Sequence, residues 1–531
     1  MWNRRRLLPF GAAILVVIAA CGDDENGGMM MPTTLDPPAN VTANALSPWE
    51  IEVSWDAVTG ATMYRVERQV GTGAFTEVTE TAQTSYTDPG LSPATTYSYR
   101  VIAVDGAETS SASAEFELDT EGQELLGNIN ADLTLDAGTV YLLRGTVQVQ
   151  NGVELVIPAG TLILGDQASQ GLLIVLQGGT ITANGTETDP IVFTSSRPPG
   201  LRNKGDWGGV VINGRSNCNF PAGQCLGEGN TGAYGGTDPD DNSGTLRYVR
   251  IEWAGIEISP DNEVNALTLN GVGNGTTIEF IQVHGGLDDG LELFGGTVDF
   301  KYVYATDNSD DSFDWSTGWQ GRAQFLIAQQ DPQDADNGWE IDNNEGDFEA
   351  LPRTFGQVYN FTLVGKGARD PGSNKSTRGL LFRRGYAGEH SCGIVMGFGG
   401  AGLDVDDAAS IRLANNDSLS LSNTTFFDNG RDLGDTFASP GVTGDPDDDS
   451  GDPTFEDNWM ASETGLVVED PMLADPYNRD TPDVSPLAGS PVIAGGCAPP
   501  NDGFFDQVAY RGAVADAGDT WYQGWTTQDK N

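Results

Sequence analysis

Residues 284–319 decide the fold, and they read HGGLDDGLELFGGTVDFKYVYATDNSDDSFDWSTGW. The segment DDGLE at 288–292 is echoed by DDSFD at 310–314, so an acid-acid-small-apolar-acid pattern recurs after 22 residues. A fixed period of about this length is typical of one coil of a stacked β solenoid. The echo therefore predicts two neighbouring coils in which carboxylates lie above carboxylates.

Short apolar runs separated by turn residues recur on both sides of this stretch. Examples are TVYLL at 139–143, VELVI at 153–157, LLIVL at 172–176 and IVFT at 191–194, and Gly-Thr and Asn-Gly turns separate such runs. Helical periodicity is missing between them, and two-residue hairpin loops are rare, which favours a solenoid over a series of sandwiches. Ten to twelve coils stacked at about 4.8 Å would form a rod roughly 50–60 Å long.

Four segments carry a resemblance to a known family: IPAGTLIL, GGTITANGTETDPIVFTSS, GDWGGVVINGR and SPLAGSPVIAGG. They resemble bacterial surface proteins with a right-handed parallel β-helix of the pectin-lyase-like type. The resemblance implies an all-β solenoid over residues 121–475 and a C-terminal cap over 476–531. The cap would cover the open end of the last coil with its aromatic residues Phe504, Phe505, Tyr510, Trp521, Tyr522 and Trp525. Because this fold hosts lyases, hydrolases, esterases and adhesins, it does not specify an activity.

Residues 36–120 have a different, strictly alternating pattern. Pro37-Pro38, Trp55, the segment 64–66, Tyr97 and the segment 99–104 resemble a fibronectin type III domain. The resemblance implies a seven-stranded sandwich with Trp55 and Tyr97 in its core. Such a domain is expected to act as a spacer, since no Arg-Gly-Asp adhesion motif follows Val104.

The N-terminus is typical of an exported protein. Arg4-Arg5-Arg6 precedes an apolar run at 7–20, which is too short for a comfortable membrane span. The run ends Ile18-Ala19-Ala20-Cys21 and resembles a bacterial lipobox. This implies a signal peptide at 1–20, a lipid on Cys21, a flexible tether at 21–35, and a place at the outer membrane or cell surface. An ordinary signal peptide with an incidental cysteine is the alternative.

Cysteine usage and charge agree with export. Cys218 and Cys225 bracket a short loop, which leaves Cys392 to pair with Cys497, and disulfides are favoured over a zinc site because only two His are present. The net charge is −50, and it becomes −53 once residues 1–20, with three Arg and no acid, are removed. Such a field opposes binding to nucleic acid and suits calcium or basic partners.

The acidic residues of the 22-residue echo are the first candidate site. An adjacent pair such as Asp288-Asp289 or Asp310-Asp311 could supply the acid and base of a glycoside hydrolase. The Gly-His-Gly and Arg-x-Lys motifs expected after such a pair in polygalacturonase-type enzymes are missing. A pectate-lyase type of site would need an arginine base, for which Arg378, Arg383 and Arg384 are available. The stack comprises Asp288, Asp289, Glu292, Asp307, Asp310, Asp311 and Asp314.

Calcium is the second interpretation of these acids, because hard cations prefer several oxygen ligands and relieve the repulsion between like charges. Two near-identical loops, DPDDNSG at 238–244 and DPDDDSG at 445–451, extend the prediction. The second mimics the ligand spacing of an EF-hand loop, although Ser450 stands where glycine is expected. An unliganded solvated loop is the alternative. The candidate ligands are Asp238, Asp240, Asn242, Asp445, Asp447, Asp449 and Glu456.

Tryptophans form the third candidate, either as sugar-stacking platforms or as packing residues, with packing favoured. They are Trp253, Trp315, Trp319, Trp339 and Trp459. Only His284 and His390 could serve a His-based triad or a zinc centre, which makes either unexpected. The sequence thus predicts a lipid-anchored surface protein with a binding or structural role, possible glycan or surface-polymer ligands, and calcium as a stabiliser. The alternative is an extracellular polysaccharide lyase or glycoside hydrolase that uses the acids at 288–314.

Overall fold

The computed structural model describes residues 34–220, 225–259, 262–367, 375–430 and 455–530. The predicted signal peptide, Cys21 and most of the tether lie outside these residues, as do Asp445, Asp447 and Asp449. Among the helices of the described part, none is both long enough and apolar enough to cross a bilayer.

The first domain is an antiparallel β-sandwich, as its alternating sequence predicts. Trp55 and Tyr97 are 5% and 4% exposed, so the predicted core positions are confirmed. The Tyr97 hydroxyl accepts a hydrogen bond from the Ser92 amide at 2.9 Å, which fixes the corner before the longest strand. The strands are Thr42–Ser47 (β1), Glu50–Ser54 (β2), Met63–Val70 (β3), Thr76–Thr81 (β4), Ser85–Asp88 (β5), Thr96–Asp105 (β6), Glu108–Thr109 (β7) and Phe116–Asp119 (β8).

Within the described residues, the second domain is one sheet of 25 strands wound into a parallel solenoid, which confirms the all-β fold class. Its first half is built from Gln123–Ile129 (β9), Leu133–Thr134 (β10), Val140–Val149 (β11), Glu154–Ile157 (β12), Leu162–Gly165 (β13), Leu172–Val175 (β14), Thr180–Asn184 (β15), Ile191–Ser195 (β16), Gly209–Asn213 (β17), Cys225–Gly227 (β18), Gly232–Tyr234 (β19), Gly244–Glu252 (β20), Ile256–Ser259 (β21), Asn262–Val264 (β22) and Leu267–Asn270 (β23). Of these, β18 with β19 and β21 with β22 form small antiparallel hairpins outside the solenoid.

The second half continues with Thr277–His284 (β24), Leu291–Phe294 (β25), Phe300–Thr306 (β26), Phe313–Ser316 (β27), Arg322–Gln329 (β28), Trp339–Asp342 (β29), Phe355–Val364 (β30), Arg378–Arg383 (β31), Ala387–Ser391 (β32), Ile394–Met396 (β33), Ala401–Val405 (β34), Leu419–Ser422 (β35), Thr425–Phe427 (β36) and Val467–Val468 (β37). A separate hairpin follows, made of Leu473–Asp475 (β38) and Asp483–Pro486 (β39). The α-helices are Ala408–Ala414 (α1) and Phe455–Ser462 (α2), and Glu228–Asn230 and Pro491–Ala494 are 3₁₀ turns.

Stacked apolar side chains fill the interior of the solenoid from Leu125 to Met460. Each coil presents its inward side chains to the coil above and below, so burial depends on stacking rather than on any single coil. At the C-terminal end of the stack, α2 places Phe455, Trp459 and Met460 against this core. The end of the solenoid is therefore closed by a short helix.

The tail after β37 lies along the flank of the solenoid. Trp525 packs edge-on against Tyr248 with ring centroids 5.4 Å apart, and Trp521 packs against Tyr302 at 5.3 Å. The prediction that residues 476–531 cover the open end of the last coil is wrong in this respect, because their aromatics contact the sides of much earlier coils. Half-buried rings on the flank give the tail an apolar surface that the end of the stack does not offer.

Both predicted disulfides are confirmed. Cys218 and Cys225 close a loop with a sequence separation of 7, whereas Cys392 and Cys497 are 105 residues apart. The second bond ties the tail to the coil that contains β32 and β33.

Candidate functional site: a ladder of carboxylates on three coils

The 22-residue echo is one coil, as its spacing predicts. β25 and β27 pair in parallel with Leu291 opposite Phe313 and Glu292 opposite Asp314. The pairing continues into β29, where Asp314 lies opposite Glu340. Because successive side chains of a strand alternate in direction, the apolar residue enters the core while the acid beside it faces outward.

Eight carboxylates from three successive coils form what we call the acid ladder: Asp288, Asp289, Glu292, Asp310, Asp311, Asp314, Asp336 and Glu340. They fall into four groups of three, and within each group one oxygen of each residue lies within 4.8 Å of the others. The groups are Asp288/Asp289/Asp310, Asp289/Glu292/Asp314, Asp310/Asp311/Asp336 and Asp311/Asp314/Glu340. The second pair of groups repeats the first pair one coil further along.

Backbone amides hold the ladder in register. The Asp311 amide donates to Asp289 Oδ1 at 2.9 Å, and the Asn337 amide donates to Asp311 Oδ1 at 2.6 Å. Each of these carboxylates thus uses one oxygen to anchor itself to the next coil and retains a second oxygen. The small residue after the acid pair is required by space, since a Cβ on Gly290 would lie 2.5 Å from Asn308 Nδ2.

Burial raises the pKa of most ladder carboxyls. Burial, with the Asp310 charge as the next cause, raises the pKa of Asp288 to about 7. Burial also raises the pKa of Glu340 to about 7, even though Arg383 opposes the shift. For Asp289, Glu292, Asp311 and Asp314, burial and neighbouring carboxylates raise the pKa well above its ordinary value. The buried, mutually repelling carboxylates of the ladder therefore favour bound positive charge, either protons or a metal ion.

The donor set suits a hard divalent cation. Ca²⁺ takes six to eight oxygen ligands, which three carboxylates, backbone carbonyls and water can supply together. Asp314 Oδ1 is buried and lacks a hydrogen-bond partner within the described residues, although Asp314 belongs to two of the four groups. An unsatisfied buried oxygen in such a place is costly unless a ligand completes it.

Two arginines flank the third coil of the ladder. Arg383 forms an ion pair with Glu340, and its Nε donates to Asp342 Oδ1 at 2.8 Å. Arg384 Nη1 donates to the other oxygen of Asp342 at 2.5 Å. Burial alone would lower the pKa of Arg383, but Asp342 and Glu340 outweigh it and raise that pKa. Arg378 points elsewhere along the stack, with its Nε bonded to Asp404 at 2.5 Å.

A cleft of about 590 Å³ opens beside the ladder. Glu292 and Asp314 line it, together with Arg383, Arg384 and their acidic partner Asp342. Leu226, which is 78% exposed, also lines the cleft and belongs to the β18–β19 hairpin, which begins at the disulfide-bonded Cys225. The cleft therefore borders both the acid ladder and the two arginines that flank it.

Part of the ladder is missing from the sequence prediction. Asp336 and Glu340 belong to DNGWE at 336–340, which repeats the same pattern 26 residues after DDSFD. A search for acid-polar-small-aromatic-acid without a fixed period would have found it. Conversely, the sequence prediction includes Asp307 in the stack, but the Asp307 carboxylate pairs with Arg479 of the tail.

The predicted calcium loop at 238–244 lies apart from the ladder. Asp238, Asp240 and Asn242 are exposed, and Asn242 Oδ1 accepts a hydrogen bond from the Gly244 amide at 2.8 Å. Their acids are not part of the converging groups in the described chain. Glu456 is buried in α2. Calcium at these loops stays a prediction.

The five candidate tryptophans are buried. Trp315, Trp319 and Trp339 are fully enclosed and pack ring against ring, with centroids 5.2 and 5.4 Å apart. Trp253 and Trp459 are each 5% exposed. None offers a ring face to a sugar, so the packing interpretation is the correct one.

Neither histidine is available for catalysis. His284 is enclosed, with Nδ1 2.8 Å from Thr306 Oγ1 and Nε2 2.7 Å from the Asp529 carbonyl. His390 lies 3.0 Å from the Tyr386 hydroxyl, and burial lowers its pKa to about 3. Both are held neutral inside the protein.

Comparison with known proteins agrees with this architecture. The fibronectin type III domain model matches residues 36–118. A poly(3-hydroxybutyrate) depolymerase of Delftia acidovorans is 38% identical over 85 residues, which cover 16% of this chain and 17% of that protein. The chain therefore spans less than a fifth of the curated relative that it matches.

Solved structures match over the same share of the chain. The structure of FN3tt mut is 20% identical, with 16% of this chain and 97% of that chain covered and a TM-score of 0.15. The FN5 domain of Drosophila Lar is 23% identical, with 16% and 96% covered and a TM-score of 0.15.

The model of the pectate-lyase like beta helix domain matches residues 127–450, which is more than half of the chain. The matched residues are those that form the parallel solenoid and carry the acid ladder. The chain belongs to the family of proteins with a pectate-lyase like beta helix domain.

Proposed function

We propose that this chain is an exported surface protein, lipid-anchored through Cys21, that binds a row of Ca²⁺ ions at the acid ladder and holds an anionic surface polymer through them. The observation that carries the proposal is the convergence of eight carboxylates into four groups on three coils. The pectate-lyase-like solenoid supports an extracellular, polysaccharide-related role.

The spacing of the groups supports binding of a polymer rather than of a single ion. Neighbouring groups share Asp289, Asp310, Asp311 or Asp314, and the coil repeat is about 4.8 Å. Three protein carboxylates do not complete the coordination shell of Ca²⁺, so positions remain for the acidic groups of a ligand. The adjoining cleft gives a chain room to lie beside the row.

A polysaccharide lyase is the second candidate, and the position of Arg383 beside Glu340 favours it. Such an arginine would have to give up a proton to act as the base. Asp342 and Glu340 raise the pKa of Arg383, which opposes that step. Binding therefore fits the geometry better than elimination, and hydrolysis by the ladder acids is the remaining alternative.

The test uses the full chain, freed of metal, in two assays. Calorimetric titration with Ca²⁺ should show binding that Asp289→Asn and Asp314→Asn weaken, while Glu349→Gln, at an exposed acid outside the ladder, leaves it unchanged. Pull-down with acidic and neutral polysaccharides should show calcium-dependent retention of acidic ones. No calcium binding, or equal binding by all variants, would overturn the proposal.

Catalysis is tested in the same samples. Unsaturated products would indicate a lyase, and new reducing ends alone would indicate a hydrolase. Products that disappear in the Asp288→Ala/Asp311→Ala variant would replace the binding proposal with an enzymatic one. For the anchor, incorporation of labelled fatty acid that is lost in Cys21→Ala is the expected result, and incorporation that persists would contradict it.

A further inference from the structure

A cavity of about 360 Å³ lies where the tail meets the flank of the solenoid. Four cationic side chains line it: Arg202 and Lys204 from the loop after β16, and Arg479 and Lys530 from the tail. The whole chain has only 27 Lys and Arg against 77 Asp and Glu. Four cationic side chains at one cavity are therefore unusual in a protein whose net charge is −50.

Each of these cations has an acidic partner, but the partners of Arg202 and Lys530, Glu252 and Asp480, lie outside the lining. Asp307 and Asp331 also line the cavity. Asp307 pairs with Arg479, and the Asp331 carboxylate lies 3.8 Å from Lys204 Nζ. Outside the lining, Asp334 approaches Lys204 Nζ at 3.1 Å. Two cations remain in excess over the acids of the lining.

Two buried donors at the cavity lack an acceptor. Trp253 Nε1 and Arg479 Nε are buried without a hydrogen-bond partner in the described part of the chain, and Trp253 is only 5% exposed. Burial lowers the pKa of Arg479 to about 10 and lowers that of Lys204. Both cations are therefore desolvated more than their neighbours compensate. An acceptor with negative charge would satisfy the donors and the cations together.

We propose that this cavity binds the oxyanion group of a small acidic ligand, a carboxylate, sulfate or phosphate. Its volume is at the lower end for ligand sites, which suits one acidic unit rather than a long segment. The site is separate from the acid ladder and does not depend on the function proposed above. It is completed only when the tail lies in place, because Arg479 and Lys530 come from the tail.

The experiment is calorimetric titration of the full chain, made calcium-free over a chelating resin, with sulfate, phosphate and glucuronate as separate probes. Sodium chloride keeps the ionic strength constant, so general charge attraction is the same in each titration. Saturable binding of at least one probe is expected. Preference for glucuronate would identify a carboxylate ligand, and preference for sulfate or phosphate a tetrahedral one.

Variants locate the binding. Trp253→Phe removes one donor and keeps the charge, and Arg479→Lys keeps the charge but removes Nε. Each should weaken binding about tenfold, the effect of one hydrogen bond to a charged group. Arg412→Lys, at a cation that is 52% exposed on α1, should bind as the unmodified chain does.

Two results would overturn the proposal: none of the probes binds more tightly than chloride, or all variants bind alike. Melting curves of each variant show whether it is folded. If Arg479→Lys loses the tail packing, Trp253→Phe decides the outcome, because it keeps an aromatic ring and every charge at the cavity.

Discussion

Asp314 lies in parallel register with Glu340, one coil further along the solenoid. Each carboxylate faces outward from a strand whose neighbouring side chains, Phe313 and Trp339, are fully buried. The core thus fixes the position of two like charges that would separate in solution.

Calcium should stabilise the protein through the acid ladder. At a calcium concentration one hundred times Kd, the free energy of unfolding should rise by about 2.7 kcal/mol for one site. Asp314→Asn should lose this gain, yet raise the stability of the calcium-free protein, because it removes a buried like charge. Denaturant titrations with calcium and with EDTA measure both effects. A calcium gain that survives in Asp314→Asn would assign the ions to another site.

The calcium-free protein should lose stability as pH rises. Asp288 and Glu340 have folded-state pKa values of about 7, above their ordinary values near 4. Between pH 4 and 7 the folded state keeps protons that the unfolded state has released, so stability falls through this window. Melting temperatures at pH 5 and pH 8 should differ by several degrees, and added calcium should reduce the difference. Equal melting temperatures would contradict the raised pKa values.

The disulfide between Cys392 and Cys497 should contribute more stability than the one between Cys218 and Cys225. In the chain-entropy model, loops with sequence separations of 105 and 7 correspond to about 5 and about 2 kcal/mol. Unfolding of the paired Cys→Ser variants measures the difference. Limited proteolysis should also show earlier cleavage of the tail when the Cys392–Cys497 bond is removed. Equal losses would show that the tail is held by its other contacts.

Trp339→Ala should destabilise the solenoid by about 3–5 kcal/mol, because it opens a cavity between Trp315 and Phe361. Polymer binding by the fraction that remains folded should be unchanged, because the ring is fully buried. Pull-down of folded protein below its melting temperature checks this. Lost binding without lost stability would restore the sugar-stacking interpretation.

Local patterns predicted the fold and part of the site. The alternation at 99–104 and the buried Trp55 identify the first domain, since both depend on neighbouring strands alone. The echo between 288–292 and 310–314 gives the coil length, and register then stacks the acids. The 22-residue period does not predict the acids of the third coil, because their offset is 26 residues. The extra residues lie in the loop that contains Asp331 and Asp334.

Contacts across several coils could not be predicted in this way. Arg383 approaches Glu340 only because β29 and β31 are neighbours in the sheet. The two residues are 43 positions apart in the sequence. The role of Asp307 depends on Arg479, which lies far along the chain in the tail. The prediction that the aromatic residues of the tail cover the end of the last coil is wrong, because sequence could not distinguish the end of the solenoid from its flank.

The tail also changes how the solenoid should unfold. A stack of coils that touch only their neighbours can fray from either end, one coil at a time. Here the tail runs back from Cys497, bonded to Cys392, to Thr527, whose amide meets Gln282 at 2.8 Å. It thereby links distant coils into one cooperative unit. Because the tail follows the solenoid in the chain, this reinforcement forms only after all the coils that it crosses have been synthesised.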